Sequence, residues 1–269
     1  MEPSKGITLE RAREDDAEIL ADISRRAFHS DVDAGAPGKE GGPPGYDSPE
    51  FQVRLMRWCD YHKILYDGRI VGALIVSKKR AGHYECARVF VDPEHQNRGM
   101  ATRAFEQAWD MYPDARIWTL GTPEWNVRTK HFYEKLGFVQ VGWTNSSAQG
   151  FGGESRGRYY EKVMNPCQSY ERMKVEALTP GMRGVEVEAK VLEVSEPRQV
   201  RSRETGEPLR VAEAVIRNET GSIKLVLWND EIRQVKADER IRIENGYVTS
   251  FRGEKQLNIG RYGTLVILL

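Results

Sequence analysis

The stretch Val89-Phe90-Val91-Asp92-Pro93-Glu94-His95-Gln96-Asn97-Arg98-Gly99-Met100-Ala101 decides how the first half of this 269-residue chain is interpreted. Its apolar start predicts a β-strand, and residues 102–112 continue in a helical pattern. The small residues Gly99 and Ala101 allow the backbone to turn tightly and to come close to a ligand. Backbone N–H groups at the start of the helix then form a cradle for an anion, which the helix dipole strengthens. The sequence therefore predicts an anion-binding turn between a strand and a helix.

A second block, Asn126-Val127-Arg128-Thr129-Lys130-His131-Phe132-Tyr133-Glu134-Lys135-Leu136-Gly137-Phe138, follows after enough residues for a helix, a strand and a loop. Its apolar positions indicate core packing, and Gly137 is typical of a helix C-cap. Together the two blocks resemble the GNAT family of N-acetyltransferases, in which the acyl-CoA pyrophosphate lies on a Gln/Arg-x-x-Gly-x-Gly/Ala turn. The resemblance covers about residues 5–165. It implies an α+β fold with a mixed, mostly antiparallel sheet and helices on both faces.

The same resemblance implies acetyl-CoA as the cofactor. Backbone N–H groups near Phe90 and Val91 would polarise the thioester carbonyl, and their strand would pair with the pantetheine arm. Asn126 stands where the family has an asparagine that contacts the cofactor, although a simple helix N-cap explains it equally well. The turn residues that would hold the pyrophosphate are Gln96, Asn97, Arg98, Gly99, Met100, Ala101 and Thr102.

Transfer of an acyl group to an amine needs a base for the amine and an acid for the leaving thiolate. Tyr133 stands where the family keeps its proton donor, and a plain core position is the alternative. Glu85 lies on the strand before the turn, where histone-type members keep a glutamate that deprotonates the amine; a solvated strand residue is the alternative. His83 and His131 are other candidate bases, because imidazole titrates near neutral pH.

The stretch from Ser30 to Pro49 is rich in Gly, Pro and Asp, and its residues 41–48 lie where the family places its acceptor-binding segment. We predict that this stretch forms no regular element, and a loop of this length is usually functional or disordered. Tyr46, Asp47 and Trp125 could line a pocket for a primary amine of a protein or a small molecule, with Asp47 attracting a cationic amine. Packing of the two aromatic side chains explains their presence equally well.

The pattern changes to strands after residues 166–173, which are interpreted as a linker. Short strands with one helix between the third and the fourth are typical of an OB-fold barrel, and the last of them ends at Gly260. The segments 218–223, 227–230 and 245–253 resemble archaeal replication-protein-A-type and SOSS-type single-strand-binding proteins over about residues 174–263. The predicted strands are 185–194, 211–217, 222–228, 239–249 and 256–260, the predicted helix is 231–235, and the predicted domains are 1–165 and 174–269.

Single-strand binding needs aromatic faces for the bases and cations for the phosphates. Trp228, Tyr247 and Phe251 match the aromatic platform of these relatives, whereas Asn258 stands where they have a further aromatic residue. Glutamates dilute the arginine cluster of the first strand connection, so a solvated hairpin or a protein-interaction surface are alternatives. The cations predicted to contact phosphates are Arg201, Arg203 and Arg252.

Composition limits the function further. The 40 Lys and Arg residues balance the 40 Asp and Glu residues, which argues against strong bulk attraction to nucleic acid. No apolar run reaches the length of a membrane span, and the N-terminus lacks a signal-peptide pattern. Three cysteines without Cys-x-x-Cys spacing suggest neither a disulfide framework nor a zinc site. We therefore predict a cytoplasmic protein without a membrane partner or a metal.

These observations predict an acetyl-CoA-dependent N-acetyltransferase that acts on a primary amine. Its OB-fold would bind single-stranded DNA or RNA, or recruit the acceptor. The alternative is a nucleic-acid- or protein-binding module whose first domain only binds CoA.

Overall fold

The computed structural model describes residues 6–38, 40–144, 156–165, 170–202 and 205–269. The chain divides into two units, one of residues 1–140 and 146–170 and one of residues 141–145 and 171–269. Among the described helices, none combines the length and the apolar character that crossing a bilayer requires.

The first unit alternates helices with the strands of a sheet. A one-turn 3-10 helix, Ser30–Ala34, follows its first α-helix. The elements in chain order are β1 (Ile7–Arg11), α1 (Ala17–His29), α2 (Pro49–Trp58), β2 (Asp60–Tyr66), β3 (Arg69–Arg80), β4 (His83–Val91), α3 (Met100–Met111), β5 (Ile117–Pro123), α4 (Val127–Lys135), β6 (Val139–Thr144), whose residues from 141 on belong to the second unit, and β7 (Gly157–Val163).

The sheet of this unit has the order β1-β2-β3-β4-β5-β7. All neighbouring pairs are antiparallel except β4 and β5. Helices α3 and α4 cover one face, where Phe105 and Tyr133 join the core, and α1 and α2 cover the other with Leu20 and Met56. This arrangement confirms the α+β fold class that the sequence predicts.

Strands β4 and β5 separate after a short parallel contact. Their pairing runs from His83 opposite Ile117 only as far as Glu85 opposite Thr119. Beyond that point β4 continues beside β3 to Val91, and β5 continues beside β7. Among the described residues no strand fills the gap between them, so the backbone groups of β4 that point away from β3 have no strand partner after Glu85. Of these groups, the Val91 carbonyl accepts from the Gln96 side chain.

A β-bulge in β4 lies at the same place. Ala87 has no opposite residue on β3, while Ser77 lies opposite Glu85 and Ile75 lies opposite Arg88. Since side chains alternate along a strand, the extra residue brings Glu85 and Arg88 to one face of the sheet. That face is the one covered by α1 and α2, because Ile75 belongs to their core cluster.

The stretch from Ser30 to Pro49 is not entirely irregular, so this prediction is wrong for its first residues. Ser30–Ala34 continues α1 as a 3-10 turn, and Gly35 ends it with a φ of 98°. The Ser30 hydroxyl donates to the Ala27 carbonyl at 2.6 Å. A local hydrogen bond and a left-handed glycine therefore extend the helical segment, which composition alone does not show.

The second unit is built from strands with one short helix. Residues 142–144, which belong to this unit, pair antiparallel with its last strand. The elements are β8 (Arg183–Val194), β9 (Arg198–Arg201), β10 (Pro208–Asn218), β11 (Gly221–Trp228), α5 (Glu231–Gln234), β12 (Arg240–Phe251), β13 (Glu254–Asn258) and β14 (Thr264–Leu268).

Five of these strands close a barrel in the order β8-β10-β11-β13-β12, with β12 pairing back to β8. Only β11 and β13 run parallel among these pairs. The OB-fold prediction is confirmed, with α5 in its predicted place.

The prediction that the strands end at Gly260 is wrong, because β14 pairs with Ile241–Glu244 of β12. Strand β13 pairs only with residues 247–251 of β12. The backbone groups of residues 241–244 on that edge of β12 pair with β14 instead.

Replacing Gly72 tests the close contact between β3 and β4. A Cβ atom at Gly72 would lie 2.2 Å from the Phe90 carbonyl oxygen, whereas one at Gly68 would meet nothing within 4 Å. We expect Gly72→Ala to lower the free energy of unfolding by about 1–3 kcal/mol or more, because backbone must move. Gly68→Ala, the control, costs about 1 kcal/mol through its positive φ. Equal losses for the two variants in denaturant titrations would contradict the close approach.

Candidate functional site

The turn before α3 forms an uncapped helix start. Gly99 has a φ of 76° and precedes the helix, and Asn97 also has a positive φ of 60°. No side chain caps α3, its first turn has no acidic residue, and no acceptor in the described chain binds the N–H groups of residues 97–102. A Cβ atom at Gly99 would meet nothing within 4 Å, so the space beside the turn is open. The arrangement provides several N–H donors for one anion.

Side chains of the turn have separate roles. Asn97, Arg98 and Gly99 are exposed, whereas the Met100 side chain is buried in the core, so Met100 could act on a ligand only through its backbone. The Gln96 amide donates to the Val91 carbonyl at 2.9 Å, and its oxygen accepts from Arg128 Nη1 at 3.2 Å. Gln96 thus fixes the turn to the end of β4. Ala101 and Thr102 follow in the first turn of α3 and are half-buried.

A polar cluster beside the turn was missed by the sequence analysis. The Arg128 guanidinium donates to the Asp31 carboxylate, and Arg26 Nη1 lies 2.6 Å from Asp92 Oδ2 at the end of β4. Burial raises the pKa of Asp31 in spite of its ion pair with Arg128. The side-chain oxygen of Asn126 accepts from the Thr129 N–H at 3.0 Å, so Asn126 is the N-cap of α4. The cluster joins the 3-10 turn, β4 and α4, which are far apart in sequence.

Tyr133 lies on the inner side of α4 against the sheet. Its ring meets Phe105 and Phe138 edge-on, and its side chain is almost fully buried. Burial raises the pKa of the Tyr133 phenol well above its usual value, and Cys86 and Asp31 nearby act in the same direction. Cys86 follows Glu85, the last residue of β4 that pairs with β5. The phenol therefore stays protonated near the point where the strands separate, as a proton donor must.

The candidate bases differ in their surroundings. Lys79 Nζ donates to the Glu85 carboxylate at 2.9 Å, on the sheet face covered by α1 and α2. His83 is buried and shares a 2.7 Å hydrogen bond with Thr119, whereas His131 is exposed on α4. Within the described segments, no three His, Cys, Asp or Glu side chains gather as a metal site.

The three residues proposed for an acceptor pocket lie in different environments. The Tyr46 hydroxyl is 2.9 Å from His29 Nε2, and its ring stands edge-on to Phe28. Burial raises the pKa of the Tyr46 phenol. Asp47 is exposed. The Trp125 carbonyl lies 3.4 Å from a Cβ position built on Gly35, so Trp125 contacts the end of the 3-10 turn.

Strand register places the three aromatic residues of the second unit on one outer face of the barrel. Tyr247 lies beside Asn258, and Asn258 lies beside Val226, two residues before Trp228. Phe251 follows Tyr247 at an even spacing on the same strand, so both point to the same side. Trp228 is 38% exposed and Phe251 is 49% exposed, which leaves their faces open to a ligand.

A groove of about 490 Å³ beside Phe251 contains paired charges. Lys224 Nζ lies 2.5 Å from Glu254 and 3.5 Å from Glu213, and Arg198 Nη2 lies 4.0 Å from Glu213. The Arg252 guanidinium lies 5.3 Å from the centre of the Phe251 ring. Carboxylates therefore occupy part of the positions that phosphates would need. The groove is lined by Arg198, Glu213, Lys224, Phe251, Arg252, Glu254 and Gln256.

Of the three arginines chosen from the sequence, only Arg252 lines the groove. The side chains of Arg198 and Arg201 point to opposite sides of β9, because side chains alternate along a strand and the two positions differ by three. Arg203 lies outside the described residues. Arg198 and Lys224 line the groove, although the sequence analysis did not select them as site residues. Asn258 is buried and donates to Thr249 Oγ1 at 3.0 Å, so it offers no stacking face.

Comparisons with known proteins agree with the division of the chain into two units. Residues 33–138 match the acetyltransferase (GNAT) family, and residues 178–267 match the OB fold of Ssb-like single-stranded DNA binding proteins. The single-stranded DNA binding protein Ssb of Saccharolobus solfataricus is 39% identical over 87 residues, which are 32% of this chain and 57% of that protein. The chain thus spans little more than half the length of that relative.

Two further similarities concern the first unit. The uncharacterized protein YrkN of Bacillus subtilis is 29% identical over 142 residues, 52% of this chain and 76% of that protein. The PaiA N-acetyltransferase of Thermoplasma acidophilum, solved with coenzyme A, is 16% identical, covers 59% of this chain and 99% of its own, and has a TM-score of 0.47. The chain therefore carries a GNAT acetyltransferase domain, matched at residues 33–138, and an Ssb-like OB-fold domain, matched at residues 178–267.

Proposed function

We propose that residues 1–165 form an acetyl-CoA-dependent N-acetyltransferase that acts on a primary amine. The supporting observation is the gap between β4 and β5 beside the uncapped start of α3. The open edge of β4 offers N–H and C=O groups to the amides of a pantetheine arm. The N–H groups of residues 97–102 offer a site for the pyrophosphate. Membership of the domain in an acetyltransferase family supports the same cofactor.

The side chains around the gap can carry out the proton transfers. Bound acetyl-CoA would supply the thioester whose acetyl group moves to the amine. Glu85 accepts a proton from the amine, directly or through water, while Lys79 holds its carboxylate. Of the two predicted backbone donors only the Val91 N–H can face the gap, because the Phe90 backbone faces Gly72 on β3. The Val91 N–H would polarise the carbonyl, and Tyr133 would donate its proton to the departing sulfur. The N–C bond forms as the C–S bond breaks, so the products are an acetamide and CoA.

Gly99→Glu tests the pyrophosphate site. The new carboxylate would lie beside the N–H groups that are proposed to bind the pyrophosphate, so we expect affinity for CoA to fall by tenfold or more. Gly99→Asn is the matched control, because asparagine tolerates positive φ and adds no charge. Calorimetric titration with CoA measures both variants. Unchanged CoA affinity of folded Gly99→Glu would place the cofactor elsewhere.

Tyr133→Phe tests the proton donor. We expect turnover at saturating substrates to fall by about 10²–10⁴-fold with little change in CoA affinity, since a positioned acid is lost. Tyr160→Phe is the control, because Tyr160 packs against Tyr133 with ring centres 6.1 Å apart and its buried hydroxyl has no hydrogen-bond partner in the described chain. CoA release with amine acceptors measures turnover. Equal turnover of Tyr133→Phe and the parent would exclude Tyr133 as the acid.

We further propose that the OB-fold domain binds single-stranded nucleic acid on the face that carries Trp228, Tyr247 and Phe251. The support is the exposure of the Trp228 and Phe251 rings, the position of Phe251 in the groove, and the Ssb-like family of the domain. The ion pairs of Lys224 predict modest affinity, because a phosphate must displace Glu213 or Glu254.

CoA binding without acetylation of any amine would favour the alternative, a binding module with a CoA-binding first domain.

Aromatic and acidic variants of this face should change binding in opposite directions. Trp228→Ala or Phe251→Ala should weaken binding of a labelled oligonucleotide by about one to two decades, since a stacked base contributes about 1–3 kcal/mol. Glu254→Gln should instead tighten binding, because it removes the nearer of the two carboxylates paired with Lys224. Trp58→Ala is the control, since this tryptophan is 67% exposed in the first unit.

Fluorescence anisotropy at several salt concentrations measures these effects. Arg198→Ala or Arg252→Ala should each reduce the slope of log K against log salt by about 0.7 per lost phosphate contact. No binding of single strands at low salt, or equal effects of Trp58→Ala and Trp228→Ala, would contradict this face as the nucleic-acid site.

A further inference from the structure

Arg88 is a half-buried arginine, with a buried Nη1 atom, on the face of the sheet where an acceptor amine would meet Glu85. It lies on β4 just after the bulge at Ala87, and the bulge places both side chains on that face. Its guanidinium carbon lies 5.8 Å from the centre of the Phe51 ring. The loop before α2 covers it, and Arg88 Nη2 donates to the Pro44 carbonyl at 3.2 Å.

The charge of Arg88 has no acidic partner in the described part of the chain. No carboxylate lies within ion-pair distance of it, and its buried Nη1 atom has no hydrogen-bond partner there. Burial lowers the pKa of Arg88 to about 10. A guanidinium with one buried nitrogen that lacks a partner is costly, and a bidentate carboxylate is the partner that best satisfies its geometry.

Other side chains define the surroundings of Arg88. Cys59 lies close enough to act electrostatically on both Arg88 and Glu85, and Tyr61 also acts on Arg88. The Tyr61 hydroxyl donates to Gln52 on α2 at 2.8 Å and is therefore already used. The site thus combines a carboxylate suited to an amine with an unpaired cation a short way along the same strand.

We propose that the acceptor is a primary amine that also carries a carboxylate, and that Arg88 binds this carboxylate. The proposal rests on the acetyltransferase function proposed above and narrows its substrate class. It excludes polyamines as preferred acceptors, because a second ammonium group would meet the guanidinium. Arg88 then determines specificity, while Glu85 serves the amine.

The test compares acceptors that differ only in the group distant from the amine. CoA release is measured with the ω-amino acids from glycine to 6-aminohexanoate, with their primary amides and with the corresponding diamines. The C-terminally amidated peptides Gly-Asp-Ala and Gly-Asn-Ala, of which only the first carries a carboxylate, distinguish a free amino acid from an acidic peptide as the source of the carboxylate. Arg88→Gln and Arg88→Lys are compared with the parent. Arg54→Gln is the matched control, because Arg54 is exposed and lies 5.3 Å from the same Phe51 ring.

We expect a carboxylate acceptor to exceed its amide in kcat/KM by about tenfold or more, as hydrogen bonds to charged groups predict. Arg88→Gln should remove this preference and leave the amide unchanged, Arg88→Lys should restore part of it, and Arg54→Gln should retain it. Equal use of amides or diamines by the parent overturns the proposal. An equal loss for all acceptors in Arg88→Gln also overturns it, because that result indicates a structural role.

A binding measurement separates this proposal from the acetyl transfer itself. Thermal stabilisation of the CoA-saturated protein by the same compounds is followed for the parent and Arg88→Gln. Stabilisation by carboxylates that is lost in Arg88→Gln, without turnover of any amine, would support the anion site and overturn the transferase function. Turnover of amines without a carboxylate preference would support the transferase and overturn the anion site. The absence of both turnover and stabilisation overturns both.

Discussion

The early separation of β4 and β5 is the constraint on which the first domain depends. Neighbouring strands in a sheet normally satisfy each other's backbone groups, and a gap leaves those groups open. Here the parallel pairing stops at Glu85 and Thr119, while antiparallel partners hold both strands on their other sides. The gap therefore stays open without weakening the sheet. The start of α3, the phenol of Tyr133 and the bulge of β4 all lie around the strand that borders it.

The bulge at Ala87 has an effect beyond local geometry. Without the extra residue, Glu85 and Arg88 would point to opposite faces, and only one of them could meet an acceptor on the side of α1 and α2. With it, a carboxylate and a guanidinium share one face, and Cys59 lies near both. One inserted residue therefore decides which charges face the proposed acceptor.

The second domain uses the same alternation to separate core from surface. Leu225, Val248 and Leu257 point into the barrel. The residues that precede and follow each of them on its strand point to the outer face. That face combines exposed aromatic rings with cations already paired to glutamates. Stacking is independent of these ion pairs, whereas phosphate contacts compete with them. Aromatic residues should consequently dominate affinity here, in agreement with a chain whose formal charges balance.

Local patterns in the sequence determined the two fold classes, the strand-turn-helix around Gly99 and the barrel with α5 after its third strand. They could do so because small residues in a turn and alternating apolar residues are properties of neighbouring positions. The local patterns did not predict β14. This strand pairs with an edge of β12 that is left open only once the barrel has assembled.

Only the tertiary structure brought Asp31 to Arg128, placed Arg198 rather than Arg201 in the groove, and left Arg88 without an acidic partner among the residues that the structure describes. Each of these depends on register, on a bulge or on contacts between segments distant in sequence. Patterns among neighbouring residues do not show such contacts, because the partners are distant in the sequence and meet only once the chain has folded.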